Sequence, residues 1–254
     1  MPLELTVVDA FTDRPFSGNP AAVALVDEFP DDDRMQRIAA EMNLSETAFV
    51  VERGEGSYDL RWFSPMVEVA LCGHATLATT HVLGRPARFQ TKSGELVCSF
   101  TDDGLIEMDF PADPPEEGPL PPGIGLLDVQ WYGRGRFDGL AQLASAAVVR
   151  SMVPDLTAIA RLGGRALIVT AAGDRPGIDC VSRVFGPATG IPEDPATGSA
   201  HCTLASFWGE RLGLDTLTGE QASARGGVIQ MRRAGERVVL GGRAVAVSRV
   251  SLLV

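Results

Sequence analysis

Short apolar runs separated by polar turns dominate the first half of the chain and predict a series of strands. Between two of these runs, Met35, Ile38, Ala39 and Met42 recur at helical spacing, and the acids at 31–33 provide a cap and a first turn. This half is therefore expected to combine a sheet with a few helices. Its predicted strands are, in order, 3–11, 21–26, 48–51, 60–63, 87–91, 96–100 and 105–110.

The second half repeats this order of polar and apolar segments. A helix is predicted over 154–161, and the predicted strands are 129–132, 144–149, 166–170, 179–185 and three more within 227–254. Residues 111–122 hold six prolines and three acids, a composition that predicts a linker. We therefore expect two related α+β lobes. They are an N-terminal lobe of residues 1–112, with the last strand (about 245–254) as a candidate addition, and a C-terminal lobe of residues 113–244.

One motif occurs in both halves, first in residues 61–65 with 71–76 and then in residues 182–187 with 193–201. In each copy an aromatic strand end precedes a proline, and a loop leads to a glycine, Gly73 or Gly198, that opens a helical pattern. Helix N-termini carry free N–H groups and a positive dipole end, so two such termini facing a cleft between the lobes would suit a small carboxylate. The alternative is that each glycine is a turn before a core helix.

Three titratable residues near these motifs are candidates for proton transfer: Glu46, His74 and Asp194. His74 falls in the first turn of its helix, a position expected to lower the pKa of an imidazole and keep it neutral. The alternatives are a capping or solvated Glu46, a turn aspartate before Pro195, and a packed histidine. Packing is the preferred interpretation of His201, and a buried, inert thiol is the more frequent fate of a cysteine such as Cys72.

Composition narrows the function further. The net charge of −11 over 254 residues argues against nucleic-acid and anionic-membrane partners. No apolar run approaches the ~18 residues of a membrane span. The N-terminus lacks the features of a signal peptide, so a cytoplasmic protein is expected. The four cysteines do not make a disulfide framework. The histidines lack metal-ligand spacing and no phosphate-loop motif is present, so we predict no metal and no cofactor.

Seven sequence blocks, in this order, resemble the PhzF-like (phenazine biosynthesis) isomerase family over about residues 5–245. The blocks are Asp9-Ala10-Phe11-Thr12, Gly18-Asn19-Pro20, Asn43-Leu44-Ser45-Glu46-Thr47, Arg61-Trp62-Phe63, Cys72-Gly73-His74-Ala75-Thr76, residues 193–200 and residues 223–227. The resemblance implies the diaminopimelate-epimerase-like fold: two pseudo-symmetric lobes, each a curled, mostly antiparallel sheet (an open barrel) around a central helix. It also implies a homodimer and cofactor-independent proton transfer.

Site roles follow from the same resemblance. In the phenazine enzyme of the family, the substrate is trans-2,3-dihydro-3-hydroxyanthranilate and a glutamate moves a proton between ring carbons. Carried over, Glu46 is the acid/base, and His74, Asp194 and Ser199 line the pocket. The amides of Gly73 and Gly198 would hold the substrate carboxylate.

This chain departs from the related epimerases, which use two cysteines as opposed bases. Cys72 lies at the first such place, but Thr197, Gly198 and Ser199 occupy the second. The favoured hypothesis is an isomerase acting on a small cyclic or unsaturated carboxylate. The alternatives are an amino-acid epimerase or racemase with opposed carboxylates, Glu46 and Asp194, and a non-catalytic metabolite-binding protein on the same scaffold.

Overall fold

The computed structural model describes residues 2–122, 124 and 128–253. The chain separates into two compact units. The first unit comprises Met1–Asp109 with Gly241–Val254, and the second comprises Phe110–Leu240.

The first unit is a mostly antiparallel sheet with the strand order β18-β1-β2-β3-β4-β6-β7-β8. The β2–β3 and β4–β6 pairs are parallel, and the short β5 pairs with β4. The helices of this unit are α1 (Asp32–Met42) and α2 (Gly73–Leu83). Its strands are β1 (Leu3–Ala10), β2 (Asn19–Val26), β3 (Glu46–Gly54), β4 (Ser57–Phe63), β5 (Glu68–Val69), β6 (Ala87–Thr91), β7 (Gly94–Phe100), β8 (Ile106–Pro111) and β18 (Ala244–Leu252).

Helix α2 is the central helix of the first unit, and it packs against β1, β2, β3 and β18. Its residues from Gly73 to Thr80 are all buried. The hydroxyls of Thr76, Thr79 and Thr80 donate to backbone carbonyls one turn earlier, at 2.5, 2.7 and 2.9 Å. Because these bonds satisfy the hydroxyls internally, a helix with many threonines can be buried on all sides.

The second unit repeats this arrangement with the strand order β9-β10-β11-β12-β13-β15-β16. Here too the third and fifth strand pairs in the order are parallel. They are β11–β12 and β13–β15, and the short β14 pairs with β13. The helices are α3 (Ala146–Ser151), α4 (Leu156–Ala160), α5 (Gly198–Leu212) and a 3-10 helix at Pro187–Thr189. The strands are β9 (Glu116–Glu117), β10 (Val129–Arg134), β11 (Gly139–Leu143), β12 (Leu167–Ala172), β13 (Cys180–Gly186), β14 (Ile191–Asp194), β15 (Thr216–Gln221), β16 (Gly227–Ala234) and β17 (Arg237–Gly242).

Helix α5 is the counterpart of α2, and it packs against β15 and β16. Trp208 fixes it to the sheet, because its buried Nε1 donates to Thr170 Oγ1 on β12 at 3.0 Å. The predicted α+β class, with two related lobes and one main helix in each, is confirmed.

One local prediction in the second half was wrong, and one strand was missed. The strand expected at 144–149 is instead helix α3, because the Ser145 side chain accepts from Val148 N and caps a helical turn. Strand β15 was not predicted. The proline-rich segment 111–122, expected to be a linker, contains the two-residue strand β9, which pairs with β10. None of the helices in the described part of the chain is long and apolar enough to cross a bilayer.

Candidate active site

The six predicted site residues form two groups, one in each unit. Glu46, Gly73 and His74 belong to the first unit, and Asp194, Gly198 and Ser199 belong to the second. The structure brings Glu46 together with His74. Asp194 ends β14 just before the N-cap Thr197, and Ser199 is the second residue of α5.

Glu46 and His74 form a buried contact in the first unit. Glu46 is the first residue of β3 and pairs with Ala21 of the parallel strand β2, whereas His74 is the second residue of α2. His74 Nε2 lies 3.0 Å from Glu46 Oε2, and the two residues are only 4% and 8% exposed. These two atoms lie outside hydrogen-bond geometry, and neither has a hydrogen-bond partner among the residues that the structure describes. Buried polar atoms of this kind mark the pair as a candidate functional position.

The opposite edge of the imidazole contacts two further residues that sequence reasoning did not assign to the site in this role. Asn19 Nδ2 lies 3.2 Å from His74 Nδ1, and Cys72 Sγ lies 3.5 Å from the same nitrogen. With the Asn19 amide in this orientation, Nδ1 is the acceptor and the proton of the neutral ring is on Nε2, facing Glu46. In the imidazolium both nitrogens donate, and Asn19 would have to turn its oxygen toward the ring.

The expected direction of the His74 pKa shift was wrong. Burial alone would lower the pKa of His74, but the contacts of the ring with Cys72 and Glu46 outweigh burial and raise it well above its usual 6.5. Burial and the nearby Glu46 also raise the pKa of the Cys72 thiol above its usual 9.0. Cys72 is therefore a neutral thiol near pH 7.

Glu46, Cys72 and His74 are also the residues best placed to hold a metal ion among those described, since one ligand atom from each lies within 4.8 Å of the others. The imidazole separates the other two, because Cys72 faces Nδ1 and Glu46 faces Nε2. A metal ion bonds to one ring nitrogen only. The arrangement therefore suits proton transfer across the ring better than coordination of one ion.

In the second unit, Asp194 is tied to the start of α5 by Thr197 and Gln221. The Thr197 hydroxyl donates to Asp194 Oδ2 in a short hydrogen bond. The buried Gln221 side chain accepts from Thr197 N at 2.7 Å, and its Nε2 donates to Asp194 O at 2.6 Å and to Thr197 Oγ1 at 3.1 Å. These bonds fix the turn before Gly198. Neither Thr197 nor Gln221 was predicted as a site residue. For Gln221, the reason is that a glutamine in a strand gives no local signal.

Ser199 contacts a charged pair that sequence reasoning also missed. Arg165 Nη2 donates to Ser199 Oγ at 2.8 Å, and Arg165 forms a salt bridge with the buried Asp138. A signal was present, since aligning 48–51 with 167–170 places Glu46 opposite Arg165. His201, for which packing was predicted, is buried and its Nδ1 donates to Thr197 O at 2.8 Å.

The helices α2 and α5 begin without a side-chain cap. Their N-cap residues, Cys72 and Thr197, make no capping hydrogen bond. The other three α-helices of the described residues are each capped, by Asp31, Ser145 and Asp155. The N–H groups that follow Gly73 and Gly198 in the first turns of α2 and α5 therefore lack the acceptor that an N-cap side chain would normally provide.

Comparison with known proteins identifies the family. The sequence profile described as "Phenazine biosynthesis-like protein" matches residues 8–121 and 123–250. The chain belongs to this phenazine biosynthesis-like (PhzF-like) family. It is 49% identical to an uncharacterized isomerase of Pseudomonas aeruginosa over 98% of this chain and 97% of that protein. It is 42% identical to an uncharacterized isomerase of Halalkalibacterium halodurans over 100% and 99% of the two chains. The names of these relatives confirm the predicted enzyme class, an isomerase.

Solved structures confirm the predicted fold of this PhzF-like chain. A PhzF-family phenazine biosynthesis protein of Enterococcus faecalis has a TM-score of 0.93 and 39% identity over 100% of both chains. A probable proline racemase of Agrobacterium radiobacter has a TM-score of 0.65 over 98% of this chain and 92% of its own, at 11% identity, and shares the fold. The homodimer, the cytoplasmic location, the absence of metal, cofactor and nucleic-acid partners, and the roles of the site residues stay predictions.

Proposed function

We propose that this PhzF-like isomerase moves a proton within a small cyclic or unsaturated carboxylate, with Glu46 as the acid/base and without a cofactor. The observation that carries the proposal is the buried 3.0 Å contact between Glu46 Oε2 and His74 Nε2. Both atoms lack hydrogen-bond geometry to any described residue. A carboxylate and an imidazole in this position can pass a proton to and from carbon when a ligand supplies the missing partner.

His74 assists Glu46 in this proposal. With its pKa raised, the imidazole carries a proton toward Glu46 near neutral pH. That charge can stabilise negative charge that develops on the substrate. Asp194 is proposed as a second polar group that binds and assists, held in place by Thr197 and Gln221.

Deuterium exchange tests the proposal. The enzyme is incubated in D2O with trans-2,3-dihydro-3-hydroxyanthranilate and, separately, with a panel of cyclic amino acids, and NMR follows deuterium at carbon. We expect exchange with at least one compound. Glu46→Gln should reduce it by about 10²–10⁴-fold because the amide cannot take up the proton, while leaving ligand binding nearly intact. Full exchange by Glu46→Gln would contradict the proposal.

Glu68→Gln is the matched control. Glu68 is a partly buried carboxylate in the same unit, bonded to Arg61 at 2.8 Å on each oxygen. We expect its replacement to lower stability without changing exchange. If a cyclic amino acid instead inverts its configuration at Cα and takes up deuterium there, the result would favour the epimerase alternative.

A further inference from the structure

We propose that Arg165, held by Asp138, is a positioning residue that directs the hydroxyl proton of Ser199 toward a carboxylate group of the ligand. The inference rests on the proposed function, because it assigns Ser199 to the binding of that carboxylate. Nothing in the family comparison assigns a role to either charged residue.

Asp138 and Arg165 form a rigid pair at the start of two neighbouring strands. Asp138 is 1% exposed, and its two oxygens accept from Arg165 Nε at 3.1 Å and Nη2 at 2.5 Å. The guanidinium also lies 5.3 Å from the centre of the Phe137 ring. The backbone joins the same segments, since Arg165 N donates to Phe137 O at 3.0 Å. A two-point bond and a stacked ring leave the guanidinium little freedom.

The contact between Arg165 and Ser199 determines how the Ser199 hydroxyl can bond. Arginine has only donors and stays protonated, so Ser199 Oγ must accept at the 2.8 Å contact with Arg165 Nη2. The single hydroxyl proton then points to a different acceptor. A positively charged donor on the oxygen also makes the hydroxyl a stronger donor itself.

Three features at the start of α5 favour an anionic acceptor. Ser199 is the second residue of the helix, whose N-cap Thr197 makes no capping bond. The hydroxyl donor, the positive end of the helix dipole and the nearby guanidinium all favour negative charge. A carboxylate is a small anion that offers two acceptor oxygens to such donors.

The comparison of the two units supports a separate role for this pair. In the first unit, Glu46 reaches the second residue of α2, His74. In the second unit, Arg165 reaches the second residue of α5, Ser199. The chain thus places a carboxylate at one helix start and a guanidinium at the other. We assign proton transfer to the first and recognition of substrate charge to the second.

Ligand binding tests the inference independently of turnover. The probe is anthranilate, a flat cyclic carboxylate whose fluorescence reports binding, compared with the neutral anthranilamide. The wild-type protein should bind anthranilate more tightly. Arg165→Lys keeps the positive charge beside Asp138 but loses the planar, two-donor geometry of the guanidinium. This variant and Ser199→Ala should each weaken anthranilate binding about tenfold or more. Anthranilamide binding should change little.

A double variant separates positioning from a merely structural role. If Arg165 acts through Ser199, then Arg165→Lys should add little to the loss caused by Ser199→Ala. Arg150→Lys is the matched control, since Arg150 also bonds both oxygens of an aspartate, Asp174, and is 32% exposed against 35% for Arg165. Arg150→Lys should lower the stability of the protein and leave the binding of anthranilate and of anthranilamide unchanged. If Arg165→Lys fails to fold, Asp138→Asn replaces it. We expect this variant to lose less of the preference for anthranilate over anthranilamide.

Several outcomes would overturn the inference. The first is that Arg165→Lys or Ser199→Ala weakens the binding of anthranilate and of anthranilamide equally. The second is that the double variant loses as much anthranilate affinity as the two single variants together. The third is that anthranilate shows no saturable binding to the wild type. The proposed function fails separately, since it fails when Glu46→Gln retains exchange, whatever the binding measurements show.

Discussion

Glu46 Oε2 and His74 Nε2 lie 3.0 Å apart in the interior of the first unit, without the angles of a hydrogen bond. The strand start and the helix start bring the two groups together, and each is left with unused hydrogen-bonding capacity. A buried pair that is not fully satisfied costs stability, and proteins retain such an arrangement where a ligand completes it.

The two ring nitrogens of His74 can be tested separately. His74→Gln places an amide N–H near the position of Nε2, toward Glu46, whereas His74→Asn places one near Nδ1, toward Asn19 and Cys72. If the Nε2 proton is the one that acts, His74→Gln should retain more deuterium exchange than His74→Asn. The loss in His74→Asn should reach about 10²-fold or more. Equal activity of the two variants would argue against a role for Nε2.

The cysteines should be unreactive in the folded protein. All four are buried, and burial raises the pKa of the Cys98 and Cys180 thiols to about 12 and that of Cys72 in the same direction. Because the thiolate is the reactive form, a thiol reagent at pH 7 should label the native protein far more slowly than the denatured one. The measurement is the time course of labelling, with sites located by mass spectrometry. Fast labelling of Cys72 would instead mean that it is a thiolate.

His201 should make the protein less stable in mild acid. Burial lowers the pKa of His201 from 6.5 to about 4, so between these values the unfolded chain binds a proton that the folded protein does not. The free energy of unfolding should therefore fall as the pH drops from 6.5 to about 4, by about 3 kcal/mol in total. His201→Asn, which keeps a donor near Thr197 O, should flatten this part of the curve. Denaturant unfolding measured across that range checks the prediction.

His74 should have the opposite pH dependence. Its pKa is raised in the folded protein, so its contribution to stability is complete below 6.5 and is lost as the pH rises through the folded pKa. Comparing the wild type with His74→Asn at alkaline pH isolates this contribution. An unchanged difference between the two proteins from neutral to alkaline pH would contradict the raised pKa.

Gly242 lets a strand end approach the core of the first unit. A Cβ added there would lie 2.5 Å from Phe11 Cδ1 and 2.7 Å from Leu77 Cδ1, both on buried side chains. Gly242→Ala should therefore lower the free energy of unfolding by about 1–3 kcal/mol through overpacking. Gly118→Ala, where an added Cβ meets nothing within 4 Å, is the matched control and should be nearly neutral. Chemical denaturation measures both.

Predicting the fold from the sequence worked where spacing carried the signal. The period of Met35, Ile38 and Ala39 marked α1, and the glycines at 73 and 198 marked the starts of α2 and α5. Local propensity failed at 144–149, where two valines suggested a strand but the Ser145 cap begins a helix.

The site was harder to predict, because its contacts join residues far apart in sequence. Glu46 and His74 could be named from motifs, but their 3.0 Å contact depends on the strand and the helix meeting in space. Asn19 lies 55 residues from His74, and Gln221 lies 24 residues from Thr197. A polar side chain at such a position looks like any other until the fold places it. The direction of the His74 pKa shift was missed for the same reason, since it depends on which charges surround the ring.

The two uncapped helices have a consequence for stability. A capping side chain is worth about 1 kcal/mol to a helix, and α2 and α5 do without one, whereas α1, α3 and α4 have one. An anionic ligand seated at either start would act as the absent cap. Binding of such a ligand should therefore raise the melting temperature of the enzyme. In a screen of metabolites, the compound that raises the melting temperature most is the first to examine as a substrate.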